Sequence, residues 1–307
     1  MRRVLSPFLV ILVLLLTSCS GLGGRGSSLE SIHIGTRGVT LTFENVPQKT
    51  FAGDAFSLSG YLTNEGTMDV DNGIITLGIE DDLVTMEGPR QLPLRLFGRS
   101  ALQPVGESVP LRLTLETRQL PAMAQEARTN ILITMCYPYQ TQASATLCID
   151  PAPERKDIKK PCTMKNVGMG GGQGAPIGIS SIAVTMLDHQ DKSRVVPLVA
   201  ITLDNLADGQ TIEPERIGDA CAGRASGSLN KVAVRAYLAD QQLTCGREGE
   251  DAIASLQKKQ NTVRCKLPEG IDINRGAYSS VLRVEADYGY IQSESRTITI
   301  VRDRPNV

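Results

Sequence analysis

The chain has 307 residues, with 32 Lys and Arg against 33 Asp and Glu and a formal net charge of −1. This balance excludes a broadly basic face of the kind that holds nucleic acid or an anionic bilayer. Trp is absent and aromatic residues make up only 4%, so Val, Ile, Leu and Thr must do the packing, which suits strands; the length is enough for two domains of ordinary size.

The first segment is an export signal. Arg2 and Arg3 are followed by an apolar run over residues 4–16, broken only by Ser6 and Pro7, and then by Leu16-Thr17-Ser18-Cys19. The run is too short for a comfortable membrane span, and its charged start and small-residue end describe a secretory signal. The last four residues resemble the lipobox of prokaryotic (bacterial or archaeal) lipoprotein signals. That resemblance implies that residues 1–18 are a lipoprotein signal peptide and that Cys19 is lipidated, leaving the chain extracytoplasmic and membrane-anchored through Cys19, at the cell surface or in the periplasm. A plain signal peptide or an uncleaved anchor is the rival reading, and it also places the rest of the chain outside the cytoplasm. Ser20 leans toward the outer membrane, because Asp at that position is associated with inner-membrane retention in diderm bacteria. Residues 19–30, rich in Gly and Ser, read as a flexible tether reaching about 35 Å at most.

Residues 31–150 read as a first β-sandwich. Ile32, Ile34, Val39, Leu41 and Phe43 alternate with polar residues, Phe56 to Leu62 forms the next strand, and Asn64-Glu65-Gly66 ends it in a turn. Further strands are expected at 73–80, 83–86, 93–97, 109–116 and 131–135, with a short helical connection at 120–128. The stretch from Cys136 to Ile149 then reads as a closing hairpin. It returns in register over residues 287–300, so that Tyr137-Pro138-Tyr139 matches Tyr288-Gly289-Tyr290.

Residues 151–176 are Pro-rich and charged, then Gly-rich, and read as a linker with an entry loop. Residues 177–303 repeat the order of the first half. The 197–205 strand parallels 56–64, both ending in Asn before a Gly-containing turn. Lys231–Leu238 parallels 73–80, and 262–267 parallels 109–116. Residues 251–259 depart from the repeat: Ile253 and Leu256 lie three apart, with acids first and Lys258-Lys259 last, which predicts a short helical insertion. The expected fold is all-β, two tandem immunoglobulin-like antiparallel sandwiches with that insertion in the second. This pattern of short strands and Asn-x-Gly turns resembles the cell-adhesion-related, immunoglobulin-like modules of prokaryotic surface proteins, and the resemblance implies binding or assembly rather than chemistry.

Seven Cys become six when Cys19 is set aside, an even number that reads as disulfides in an oxidising compartment. Cys136 and Cys148 bracket the expected hairpin and are paired on that ground. Cys245 and Cys265 bracket the insertion, which leaves Cys162 with Cys221. No Cys-x-x-Cys spacing supports the rival reading of a zinc site.

Other motifs carry little chemistry. The Gly-rich stretch at 168–176 lacks the Gly-Lys-Ser/Thr of a phosphate loop. Gly171-Gly172-Gln173 matches the release-factor tripeptide by chance in an exported chain. His189 sits in a polar turn and His33 alternates with Ile32 and Ile34. Asp69-Val70-Asp71-Asn72-Gly73 and Glu80-Asp81-Asp82 read as solvated turns. Tyr137, Tyr139, Tyr288 and Tyr290 read as strand packing, with a stacking surface for sugar or peptide as the functional alternative. The expectation is therefore a non-enzymatic structural or protein-binding module of the cell envelope, with no cofactor, no metal and no nucleic acid, whose partners are the membrane and an envelope protein. A ligand-binding lipoprotein serving a transporter, and then a carboxylate-dependent envelope hydrolase, are the alternatives.

Overall fold

The computed structural model describes residues 32–302 except 225, 226, 228, 248 and 249. The signal segment, Cys19 and the tether lie outside the described residues. The chain is all-β, with 56% strand and 3% helix. Among the described residues no helix is long and apolar enough to cross a membrane.

The first half forms β1 (Val39–Asn45), β2 (Lys49–Phe51), β3 (Ala55–Asn64), β4 (Val70–Gly78), β5 (Val84–Met86), β6 (Gln91–Leu96), β7 (Ser108–Thr117) and β8 (Glu126–Ile149). The second half begins with β9 (Val167–Gly168), β10 (Ile177–Asp188), β11 (Arg194–Asn205) and β12 (Gln210–Ile212). A 3-10 turn at Pro214–Arg216 leads into a short helix, α1 (Ile217–Cys221). Then come β13 (Lys231–Leu238), β14 (Gln241–Gln242), β15 (Ala252–Ser255), β16 (Gln260–Lys266), β17 (Ile271–Asp272) and β18 (Tyr278–Val301).

The strands form two small sheets and one large one. The small sheets are β1-β3-β7-β5 from the first half and β16-β11-β10-β9 from the second. The large sheet runs β14-β13-β18-β8-β4-β6 and draws on both halves. The repeat inferred from the sequence is visible in these orders. β3 and β11 each lie central in a small sheet, beside β7 and β16 respectively, while β4 and β13 each flank one of the long strands.

The stretch expected to be a closing hairpin is not one. β8 and β18 are single uninterrupted strands of 24 residues that pair with each other antiparallel along their whole length, from Tyr278 opposite Ile149 to Val301 opposite Glu126. At ~3.4 Å per residue the pair is about 80 Å long. Near its start β8 also pairs with β4, whereas its last half is paired with the part of β18 that carries β13. The reciprocal holds for β18, whose end pairs with β2 of the first half. Each sandwich is thus completed by half a strand from the other repeat, and one continuous apolar core runs through both.

Period-two burial explains why the long strands form. In β8 the odd positions Ile131, Ile133, Met135, Tyr137, Tyr139, Ala143, Ala145, Leu147 and Ile149 are all buried, and in β18 the paired even positions Leu282, Val284, Ala286, Tyr288, Tyr290, Ile298 and Ile300 are buried. Residues of one parity share a face, so both small sheets cover the same side of the large sheet.

Two further expectations are corrected. Residues 251–259 are not helical: Ala252 and Ala254 are buried while Ile253 is 54% exposed, the alternation of a strand, and β15 pairs with β13. A turn with Lys259 at φ 63° follows. The helix of the second half is α1 instead. Residues 120–128 form no helix either; they run irregularly from Leu120 into β8, which starts at Glu126.

The disulfide partners also differ. Cys245–Cys265 is present as expected, but Cys136 bonds Cys221 and Cys148 bonds Cys162, with Cα separations of 5.9 and 5.7 Å. Cys136 and Cys148 sit on one extended strand, about 40 Å apart at ~3.4 Å per residue, so no bond between them is possible. The reading of a hairpin produced the wrong pairing.

The Gly-rich stretch is docked rather than loose. Gly35 N donates to Gly171 O, Gly174 N to Gly35 O, and Thr67 N to Gly174 O. Gly172 and Gly174 have φ of +66° and +68°, and a Cβ on Gly172 would stand 2.2 Å from Gly35 O. Left-handed backbone in close contact with the segment around Gly35 requires glycine there. Gln173 is 8% exposed and closes the stretch by bonding Ile179 N and O through its side-chain amide.

Candidate functional site

The centre of the molecule is a box of four tyrosines. In the long strand pair Tyr139 faces Tyr288 and Tyr137 faces Tyr290. Their ring centroids lie 5.8 to 6.3 Å apart around the box, at interplanar angles of 44 to 78°, within the range favoured by tilted and edge-on aromatic pairs.

Each buried phenol has a partner, and the partners obey the repeat. Val39 N, at the start of β1, donates to the Tyr137 hydroxyl at 3.0 Å, and Ile177 N, at the start of β10, donates to Tyr288 at 3.3 Å. Met68 N donates to Tyr139 at 3.2 Å, and Gly209 N donates to Tyr290 at 2.8 Å. The turns that supply those last two donors are built alike. Asn64 Oδ1 accepts from Gly66 N and its Nδ2 donates to Met68 O; Asn205 Oδ1 accepts from Ala207 N and its Nδ2 donates to Gly209 O. The Asn-x-Gly signal read from the sequence is this turn, and its physical purpose is to aim an amide at a tyrosine. Tyr288 also shares a hydrogen bond of 2.9 Å with Thr141, which is itself fully buried.

This arrangement removes the tyrosines from the candidate binding surfaces. Tyr137, Tyr288 and Tyr290 are 0% exposed and Tyr139 4%, so no ring face is open to a sugar or a peptide. Desolvation raises all four phenol pKa values, to about 12 for Tyr139 and Tyr290 and well above 10 for Tyr137 and Tyr288. The box is a lock between halves.

The disulfide cysteines sit around this lock. Cys136 is on the opposite face of the large sheet from the tyrosines. There it joins Cys221, Ile212 and Ile217 in a second, smaller apolar cluster under α1. This bond links the first half to the second. At the position equivalent to Cys136 in the repeat stands Asp287, which accepts from Gln140 Nε2 at 2.7 Å and pairs with Arg235. Arg235 also reaches Asp251 at 2.9 Å and Glu285 at 3.4 Å. Burial opposes its charge, but Asp287, Asp251 and Glu285 outweigh that and hold its pKa above the ordinary value. The equivalent of Cys148 is Thr299, whose backbone pairs with Lys49 of β2. A strand contact in one repeat and a disulfide to Cys162 in the other restrain the same point.

The histidines are turn residues. His33 is exposed, and His189 Nδ1 accepts from Asp191 N at 3.0 Å. In the acidic turns, Asp69 accepts from Gly98 N, Asp71 pairs with Arg95 and Asp81 with Arg90. Among the described residues no group of three or more His, Cys, Asp or Glu is placed to hold a metal ion. One hollow was not foreseen. Loop 150–161 and loop 273–277 enclose a cavity of about 140 Å³ lined by Asp150, Arg155, Ile158, Lys159, Lys160 and Arg275 among others. Its only signal in the sequence was the charged, Pro-rich run read as a linker.

No protein-family model matches the sequence, and no curated protein sequence matches it. Among solved structures the chain has a low similarity to the secreted serine protease VesC from Vibrio cholerae, with 9% identity and a TM-score of 0.22 over 88% of this chain and 52% of that one. This chain therefore spans about half the length of that protease, and a likeness of this degree carries no argument about activity. Three disulfides identify an oxidising, extracytoplasmic environment.

Proposed function

We propose that the chain is a non-enzymatic, lipid-anchored module of the cell envelope that holds a rigid, elongated body ready for a protein partner. The observation that carries this reading is the unbroken strand pair of β8 and β18. Separate domains on a linker move relative to one another by default. Here two dozen ladder positions, a buried tyrosine box and a disulfide across the halves oppose such movement. Rigid presentation lowers the ordering cost of binding, and the loops at the two ends of the body are where such scaffolds place recognition. Anchoring through Cys19 is supported by the lipobox-like Leu16-Thr17-Ser18-Cys19.

The reading is tested on intact cells. Replacement of Cys19 by Ala is expected to release the protein from the membrane fraction, and in-cell cross-linking of the native form is expected to capture a discrete envelope protein. Recovery of no cross-linked partner, together with turnover of an envelope polymer by the purified chain, would overturn it.

A further inference from the structure

We infer that the cavity between loops 150–161 and 273–277 is a docking pocket for an acidic peptide segment carrying one aliphatic anchor residue. This deepens the protein-binding reading above by naming the partner's chemistry.

The pocket is built and preformed. Tyr278 pairs with Ile149 at the end of the long strands, which brings the two loops side by side. The Cys148–Cys162 disulfide closes the base of the first loop. Within it Asp150, only 5% exposed, accepts from Lys160 Nζ at 2.6 Å, and the same ammonium donates to Ala152 O at 2.5 Å. The second loop is fixed by Ile273 N to Ser193 O, Asn274 N to Asp272 Oδ1 and Arg275 N to Asp272 O. A site whose walls are already ordered binds with less entropic loss.

The lining has two characters. Lys160 is committed to Asp150 and Arg155 reaches the exposed Asp157 at 3.4 Å. Lys159 and Arg275 line the rim and enter no ion pair among the described residues. Arg275 is held over the Tyr278 ring, 4.0 Å from its centroid, which fixes its position without neutralising it. A surplus of positive charge here contrasts with a chain whose formal net charge is −1. Beside these cations lie Ile158, 47% exposed, with Pro161, Ile273 and Ala277. A large aliphatic group left half in water beside basic residues has the anatomy of a protein interface, an apolar centre with a charged rim and an arginine anchor. A bare phosphate or an anionic glycan would leave the apolar side unused. The small volume suits a single side chain, so the complementary segment inserts one aliphatic residue and lays its carboxylates on Lys159 and Arg275.

The test is selection of a random peptide library on the purified, disulfide-intact chain. It is followed by fluorescence anisotropy with the enriched peptides. The expected result is enrichment of Asp and Glu around one Leu, Ile or Val, with affinity that falls as salt rises. The double variant Lys159→Glu/Arg275→Glu, and separately Ile158→Ser, should each weaken binding by about tenfold or more, whereas Arg112→Glu on the exposed face of β7 should leave it unchanged. Lys159, Arg275 and Ile158 project from loops, so circular dichroism and the disulfide map should match the parent. Enrichment without an acidic preference, or binding unaffected by the double variant, would overturn the inference. Full competition by a soluble polyuronate with no loss on Ile158→Ser would also overturn it, by assigning the site to glycans. Cross-links on intact cells that persist in the double variant would place the partner elsewhere while leaving the module reading in place.

Discussion

Pro138 pairs with Gly289, its own counterpart in the second repeat. The internal pseudo-twofold axis therefore passes between these two residues, and the tyrosines on either side are arranged about it. Pro removes a ladder donor, which central strands rarely tolerate, and Gly supplies no side chain. The two copies have solved the crossing differently. At Gly289 a Cβ would stand 2.7 Å from Ile212 Cγ2 and from Ile217 Cγ1, so the missing side chain lets β12 and α1 pack closely against it.

Gly289→Ala should accordingly destabilise the protein by about 1–3 kcal/mol through overpacking, with the loss read as a lower urea midpoint at unchanged slope. Gly276→Ala, where no atom lies within 4 Å of the added methyl, is the control and should change little.

Non-reducing peptide mapping should recover Cys136 with Cys221 and Cys148 with Cys162. The Cys136–Cys221 bond spans 85 residues and the Cys148–Cys162 bond 14. In the chain-entropy account, the double Ser replacement of the first pair should cost about 4.5 kcal/mol and that of the second about 3. A map that joined Cys136 to Cys148 would contradict the continuous strand.

Stability should fall in alkali. An unfolded phenol titrates near 10.0, whereas Tyr139 and Tyr290 hold their protons to about 12. Above pH 10 the unfolded state loses protons that the folded state keeps, so unfolding becomes easier; below pH 10 the contribution is fully present. The phenolate absorbance of these four residues should rise together with loss of near-ultraviolet dichroism. A smooth titration of all seven tyrosines in the folded protein would refute this.

Tyr288→Phe should cost about 1–3 kcal/mol, because the Ile177 amide loses its partner in a buried site. Tyr61→Phe, at a 41% exposed position, should be close to neutral. The difference in melting temperature measures how far the hydroxyl, rather than the ring, secures the box.

Neither half should fold alone. Residues 32–150 expressed separately lack the end of β18 and residues 151–302 lack the end of β8, leaving an apolar face uncovered in each. Mixed in equal amounts they should recover the native dichroism, and each alone should self-associate or remain unfolded, as size-exclusion chromatography will show.

Much of the fold was legible because alternation and turn chemistry are local. β3 and β11, each ending in an Asn turn, stand where the pattern put them, and the repeat aligned Tyr137 with Tyr288. What the sequence concealed was long-range. A strand that turns back and a strand that continues straight have the same alternation, so nothing around Tyr137-Pro138-Tyr139 distinguished a hairpin from a crossing between sandwiches. The disulfide partners inherited that ambiguity. Ile253 and Leu256 fit a helical spacing by coincidence, since two apolar residues three apart are too few to separate the periods. The basic hollow was hidden because its two walls come from loops more than a hundred residues apart.

The crossing has a mechanical meaning. β8 is rooted by β4 in one sandwich and β18 by β13 in the other. Tension that drew the sandwiches apart along their common axis would slide these strands past one another rather than peel them open. The rungs between them would then carry the force side by side instead of failing one at a time. The Cys136–Cys221 bond, set beside the midpoint, would take up whatever slip began there.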